Sequence, residues 1–134
     1  MVEIEPQGLA ALRDALNIGL FAATHLVIQA NRRIIRPRID SKWPSVAHGY
    51  NTVSQYAEHI ASYTTLPFGF NSALNLGRSF LGMPPSSSDR GIGLAFIRAY
   101  LVDMVIPTLI TGKAHFRDML SNLAGIAIYY YLLK

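Results

Sequence analysis

The sequence contains no cysteine, which removes disulfides, zinc–thiolate centres, iron–sulfur clusters and a cysteine nucleophile from consideration. Charge is scarce too. Only 15% of the residues are charged, against about a quarter in an ordinary soluble domain. No basic segment precedes the first apolar stretch. The opening MVEIEPQGLAALRD carries acids instead, and predicts no cleaved signal peptide. No lipidation box is present. A clean hydrophobic run is also missing. A confident membrane span needs about 18 nearly charge-free apolar residues. Ala15–Asn31 is uncharged but holds Asn17, His25, Gln29 and Asn31. Met119–Leu133 is short, and Pro67 and polar residues break His59–Gly77.

What is present is grease. Hydrophobic residues make up 51% of the 134, and mean hydropathy is +0.25. That excludes a disordered chain and disfavours a freely soluble enzyme. The length is that of one domain, read here as a single helical domain over residues 1–134. Net charge is +4 and the pI about 9.6, a balance that weakly favours an anionic partner.

The pattern is helical throughout. Leu9, Leu12, Leu16, Leu20, Ala23 and Val27 recur at spacings of three and four. The first helix is expected to open at Pro6 and stop before Pro37, because the residue before a proline avoids helical backbone. PRIDSKWP reads as a connector. A second helix is expected from about Pro44 to Thr64, ended by Pro67. A third runs from an Asn71 cap to about Leu81. MPPSSSDRGIG reads as the most exposed loop. A fourth helix spans about Gly93 to Thr111 with a kink at Pro107, and a fifth about Ala114 to Leu133. No useful period-2 run points to strands. The fold class is therefore all-α, a bundle of four or five helices with long apolar helices.

The chemistry-bearing signals are few. Arg32, Arg33, Arg36, Arg38 and Lys42 fall within 11 residues, opposed only by Asp40. Three readings compete: a charged cap at a helix C-terminus, a membrane-surface anchor, and phosphate contact through the arginine fork. Phosphate contact ranks first, because five cations exceed what a cap needs. With no groove-reading motif nearby, such binding would be sequence-independent. His25, His48, His59 and His115 contain no pair at i,i+4, so no metal set and no cofactor is assigned. His25 reads as a hydrogen-bonded core histidine. Gly91 and Gly93 follow no strand, so the dinucleotide reading fails. No nucleophile elbow or carboxylate pair appears, and no enzymatic activity is expected.

Tyr129, Tyr130 and Tyr131 are consecutive on a predicted helix and cover most of its circumference. A helix apolar all round is buried on all sides, by protein or lipid. With Phe21 and Val27 on helix one, these tyrosines are the expected subunit interface. Two function classes remain: a self-assembling structural subunit, and a small integral membrane protein built of helical hairpins. Asn17, His25, Gln29, Asp103 and Asn122 weigh against lipid, where polar groups are expensive.

The long apolar helix Leu9–Ala30, the segment RRIIRPRIDSK and the end AIYYYLLK together resemble the major capsid proteins of large spindle-shaped, tailed archaeal viruses. The plan is also similar to the helical-bundle coat proteins of filamentous and rod-shaped archaeal viruses. The resemblance spans the chain in size, helix plan and composition, without a diagnostic motif. It implies a virion location and a many-copy homo-oligomer wound around double-stranded DNA, with apolar contacts that let neighbouring strands slide.

Overall fold

The computed structural model describes residues 6–87 and 89–133, and these are helical apart from a break at Trp43 and two short connections. The opening residues 1–5, Ser88 within the expected exposed loop, and Lys134 lie outside the described residues. Four continuous helices result: α1 (6–42), α2 (44–80), α3 (89–111) and α4 (116–133). The all-α expectation holds, with four helices.

The prolines do not cut the chain where expected. α1 runs through Pro37. Its α-helical part Pro6–Ala30 widens into a π turn at Asn31–Ile35, then resumes over Arg36–Lys42. α3 repeats the device, with a π turn at Leu101–Val105 immediately before Ile106-Pro107. A proline in a helix lacks a donor and crowds the carbonyl four residues back. A π turn shifts the bonding to five residues back, as in Arg36 N–H to Asn31 C=O and Ile106 N–H to Leu101 C=O. The expected connector PRIDSKWP is thus helical up to Lys42. The break comes at Trp43, whose φ of −135° before Pro44 leaves the helical region.

α2 absorbs the two helices expected at 44–64 and 71–81. Pro67 sits inside it, buried, and Asn71 is an interior residue rather than a cap. At 37 residues α2 is about 55 Å long. It ends in a Schellman turn: Met83 N–H bonds Arg78 C=O, Gly82 N–H bonds Ser79 C=O, and Gly82 takes φ +69°. The connection that follows is exposed yet tied down. Arg78 Nε donates to the Pro84 carbonyl at 2.6 Å, and Asn75 Oδ1 accepts Ser86 N–H at 2.8 Å. α3 starts at Asp89, earlier than expected, and α4 starts at Phe116.

α2 is the hub. α1 packs antiparallel along it, pairing Asn17 with Ser72 and Asn31 with Glu58. α3 is also antiparallel to it, with Arg98 on Tyr63, and α4 is parallel, with His59 on Asn122 and Thr64 on Gly125. The contacts are made by small side chains. Along α3 the buried residues are Gly91, Ala95, Ala99, Asp103 and Pro107, one every fourth position. A Cβ on Gly125 would fall 2.5 Å from the Ile60 carbonyl oxygen and 2.9 Å from Tyr63 Cβ, so the backbones of α2 and α4 meet only because that side chain is missing. The apolar core is correspondingly small: Tyr63, Leu66, Ala95, Ala99, Met119 and Ile126, flanked by Phe21, Phe70, Ile92, Met104 and Leu123.

Candidate functional site: a polar spine inside an apolar surface

Polar side chains occupy the helix contacts, and apolar ones cover the outside. Glu58 on α2 is the first node. Its carboxylate is buried and accepts from Asn31 Nδ2 at 2.7 Å, Arg32 Nε at 2.8 Å and Arg36 NH2 at 2.8 Å. Arg36 Nε also donates to Ser54 Oγ at 3.1 Å, and Tyr50 hydroxyl donates to Asn31 Oδ1. The π turn at Asn31–Ile35 and the turn after it bring Asn31, Arg32 and Arg36 to bear on this one carboxylate.

The second node joins three helices. Asn122 of α4 is fully buried. Its Nδ2 donates to Asp103 Oδ2, and its Oδ1 lies 2.8 Å from His59 Nδ1. His59 Nε2 faces Asp118 Oδ1 at 3.4 Å, His115 Nδ1 lies 3.8 Å from Asp118 Oδ2, and Gln55 Nε2 donates to Asp118 Oδ1 at 3.2 Å. Burial pushes the Asp103 carboxyl above the usual carboxylate range, with Asp118 adding repulsion against the opposing pull of His59. The arrangement has a backbone cause. Pro107 has no N–H to offer the Asp103 carbonyl four residues back. That carbonyl instead accepts His115 N–H at 2.7 Å, which pins the start of α4 against α3.

Asn71 forms a third node. Its Oδ1 accepts Gly91 N–H at 2.8 Å and its Nδ2 donates to the Tyr129 hydroxyl at 3.1 Å. Beside the second node, Arg98 NH1 donates to the Tyr63 hydroxyl at 2.8 Å with its guanidinium 5.5 Å from the ring centre. A cleft of about 540 Å³ opens between α2 and the start of α4, lined by Thr52, Gln55, Tyr56, His115, Phe116 and Asp118. A narrower polar groove holds His25, Arg32, Glu58, His59, Arg98 and Asp103. Desolvation lowers the His25 pKa from its ordinary value, helped by the positive charge of Arg98.

The five basic residues divide. Arg32 and Arg36 are engaged with Glu58, whereas Arg33, Arg38 and Lys42 are exposed, and none of these three has an ion pair among the described residues. The expected interface residues divide as well. Phe21 packs on Gly69 and the core, and Tyr129 is buried edge-on against Phe68, so both are turned into the chain's own packing. Val27, Tyr130 and Tyr131 remain outside, with Val27 69% and Tyr131 79% exposed. They belong to a wide apolar surface that includes Leu16, Leu20 and Leu26 of α1, Phe96, Ile97, Leu109 and Ile110 of α3, and Leu120 and Leu132 of α4.

Reasoning from the sequence missed Glu58 as the partner of the arginines, and missed the meeting of Asp103, His115 and Asp118. These three each bring one donor atom within 4.8 Å of the others. His115-x-x-Asp118 at i,i+3 was the available signal. Asp103 had none, since its place depends on α3 packing against α4. The chain matches no family model, no curated protein and no solved structure.

Proposed function

We propose that this chain is a structural coat subunit, which assembles in many copies through its apolar helix faces around double-stranded DNA. The observation that carries the reading is surface area. The isolated chain exposes 9052 Å², against about 7,000 Å² for a folded monomer of its mass. The excess, about 2,000 Å², is more than twice the roughly 800 Å² that one partner buries in a standard interface, which suits a subunit with several neighbours. Apolar patches of this breadth mark interaction surfaces. Contacts built from Val27, Tyr130, Tyr131 and their neighbours would be largely non-directional, which suits strands that slide past one another. Arg33, Arg38 and Lys42 supply the cargo contact, through phosphates and without base reading. Catalysis has no part in this reading.

A second reading, a small integral membrane protein, has its own observation. Gly8–Lys42 and Asp89–Thr111 are long and apolar enough to cross a bilayer, and both are little buried in the chain. Of the five polar residues weighed against lipid, Gln29 is exposed and His25 Nδ1 is buried without a hydrogen-bond partner, and these two still count against it; the other three do not. Asn17, Asp103 and Asn122 are bonded inside the bundle, as polar groups within membrane bundles are. The coat reading accounts better for the open polar cleft beside α4 and for the exposed Ser45, His48, Thr52 and Gln55 on the first half of α2.

Electron microscopy of purified chain, with and without DNA, separates the two. Filaments or shells formed without detergent support the coat reading. A chain extracted from membranes only by detergent supports the bilayer reading. A monodisperse, detergent-free monomer at high concentration overturns both.

A further inference from the structure

We propose that Asp103, His115 and Asp118 form a site for a zinc-type divalent cation that staples α3 to the start of α4, with His59 of α2 as an outer partner of Asp118. The case rests on which atoms face each other. Asn122 Nδ2 donates to Asp103 Oδ2 and its Oδ1 faces His59 Nδ1 at 2.8 Å, so one buried amide fixes both side chains. Asp118 turns Oδ1 toward His59 Nε2 at 3.4 Å and Oδ2 toward His115 Nδ1 at 3.8 Å.

Asp103, His115 and Asp118 each place a donor atom within 4.8 Å of the others. His115 Nδ1, 3.8 Å from Asp118 Oδ2, is on a half-exposed side chain at the start of α4. One imidazole and two carboxylates are a donor set suited to zinc, with the fourth position left to solvent. The outer contacts are in place as well. Asn122 orients both His59 and Asp103, and Gln55 holds Asp118. The cleft along His115 and Asp118 leads from solvent to the donors. Because Pro107 frees the Asp103 carbonyl for His115 N–H, the cation would close a junction that the backbone has already drawn together.

The test is cobalt titration of the full-length chain after chelator treatment, followed by displacement with zinc. The expected result is one Co²⁺ per chain with the visible absorption of a tetrahedral site, abolished by an equivalent of Zn²⁺. His115→Ala and Asp118→Asn should each weaken binding by about tenfold or more. His115 is half exposed, so its variant should keep the helical circular dichroism of the parent. His48→Ala should bind as the parent does, because His48 lies 11 residues from His59, about 16 Å along α2. No saturable binding at millimolar zinc overturns the proposal. Loss of binding in His48→Ala equal to that in His115→Ala also overturns it.

Discussion

The amide N–H of His115 lies 2.7 Å from the carbonyl oxygen of Asp103, an acceptor left without its helical donor because residue 107 is proline. A residue that would interrupt α3 in isolation is thereby used to attach α4. Pro107→Ala supplies the missing N–H and sets up competition for that carbonyl. The His115 amide should lose protection in hydrogen exchange, while amides in the middle of α2 stay protected. Equal protection of His115 in both proteins would show that the contact does not depend on the proline.

Glu58 gives a second prediction, about stability. Replacing Arg32 and Arg36 together by Ala leaves a buried carboxylate with Asn31 as its remaining side-chain partner. An uncompensated buried charge costs on the order of 3 kcal/mol. Adding Glu58→Gln to that double variant removes the charge and should restore part of the loss. Chemical denaturation of the parent, the double variant, Glu58→Gln alone and the triple variant reads both effects. Additivity of the separate losses would show that the three side chains do not act as one unit.

Gly125 tests the close approach of α2 and α4. Gly125→Ala puts a methyl against the Ile60 carbonyl and Tyr63 Cβ, and backbone atoms give little. Overpacking of this kind costs about 1–3 kcal/mol, although alanine is the better helix former by about 1 kcal/mol. Net destabilisation is expected. Gly19→Ala, where no atom lies within 4 Å of the new methyl, should be neutral or stabilising. Thermal melts of the two variants moving in the same direction would remove the close-approach argument.

Spacing carried the fourth helix through Pro107, where only a kink was expected, but the first helix was stopped at Pro37 and the second at Pro67. The stops at Pro37 and Pro67 came from treating proline as a terminator. A π turn just before Pro37 lets α1 continue, whereas Pro67 is carried inside α2, buried under the packed helices, without such a turn. Apolar character located the outer surface on α1, but not its sides. Phe21 and Tyr129 carry the same chemistry as Val27 and Tyr130, and only the helix phase decides which faces Gly69 or Phe68. The arginine run was visible, yet its division was not, because Glu58 lies 22 residues beyond Arg36.

The His25 imidazole has its pKa lowered by desolvation first and by Arg98 second, with Arg32 acting the same way and the Phe21 carbonyl opposing. Glu58, His59, Tyr63 and Asp103 line the same groove. The fold holds His25 neutral more strongly than the unfolded chain does, so its contribution to stability is present above about pH 6.5. That contribution is lost as pH falls below this value, because the unfolded state then binds the proton first. His25→Phe keeps a ring beside Phe21, 4.4 Å from it in the parent, and removes the titration. Between pH 7 and 5 the parent should lose stability more steeply than the variant. Parallel profiles would assign the pH response to the other groups.

The last prediction concerns DNA. Arg32 and Arg36 are bound up with Glu58, so a variant lacking them confounds charge with folding. Arg33, Arg38 and Lys42 are exposed, and their replacement by Gln should leave helix content and melting temperature unchanged. If they touch phosphates, the logarithm of the binding constant should fall less steeply with the logarithm of salt concentration. The slope should drop by about 0.9 for each contact removed. Weakening should be equal across DNA sequences, because phosphate contacts carry no base information. A modest loss per subunit becomes large along an assembled strand, since many copies engage one duplex. The measurement is a salt titration of triple variant and parent on two unrelated duplexes. An unchanged slope would mean that these three cations face solvent or a neighbouring subunit, and that the cargo is held by another part of the chain.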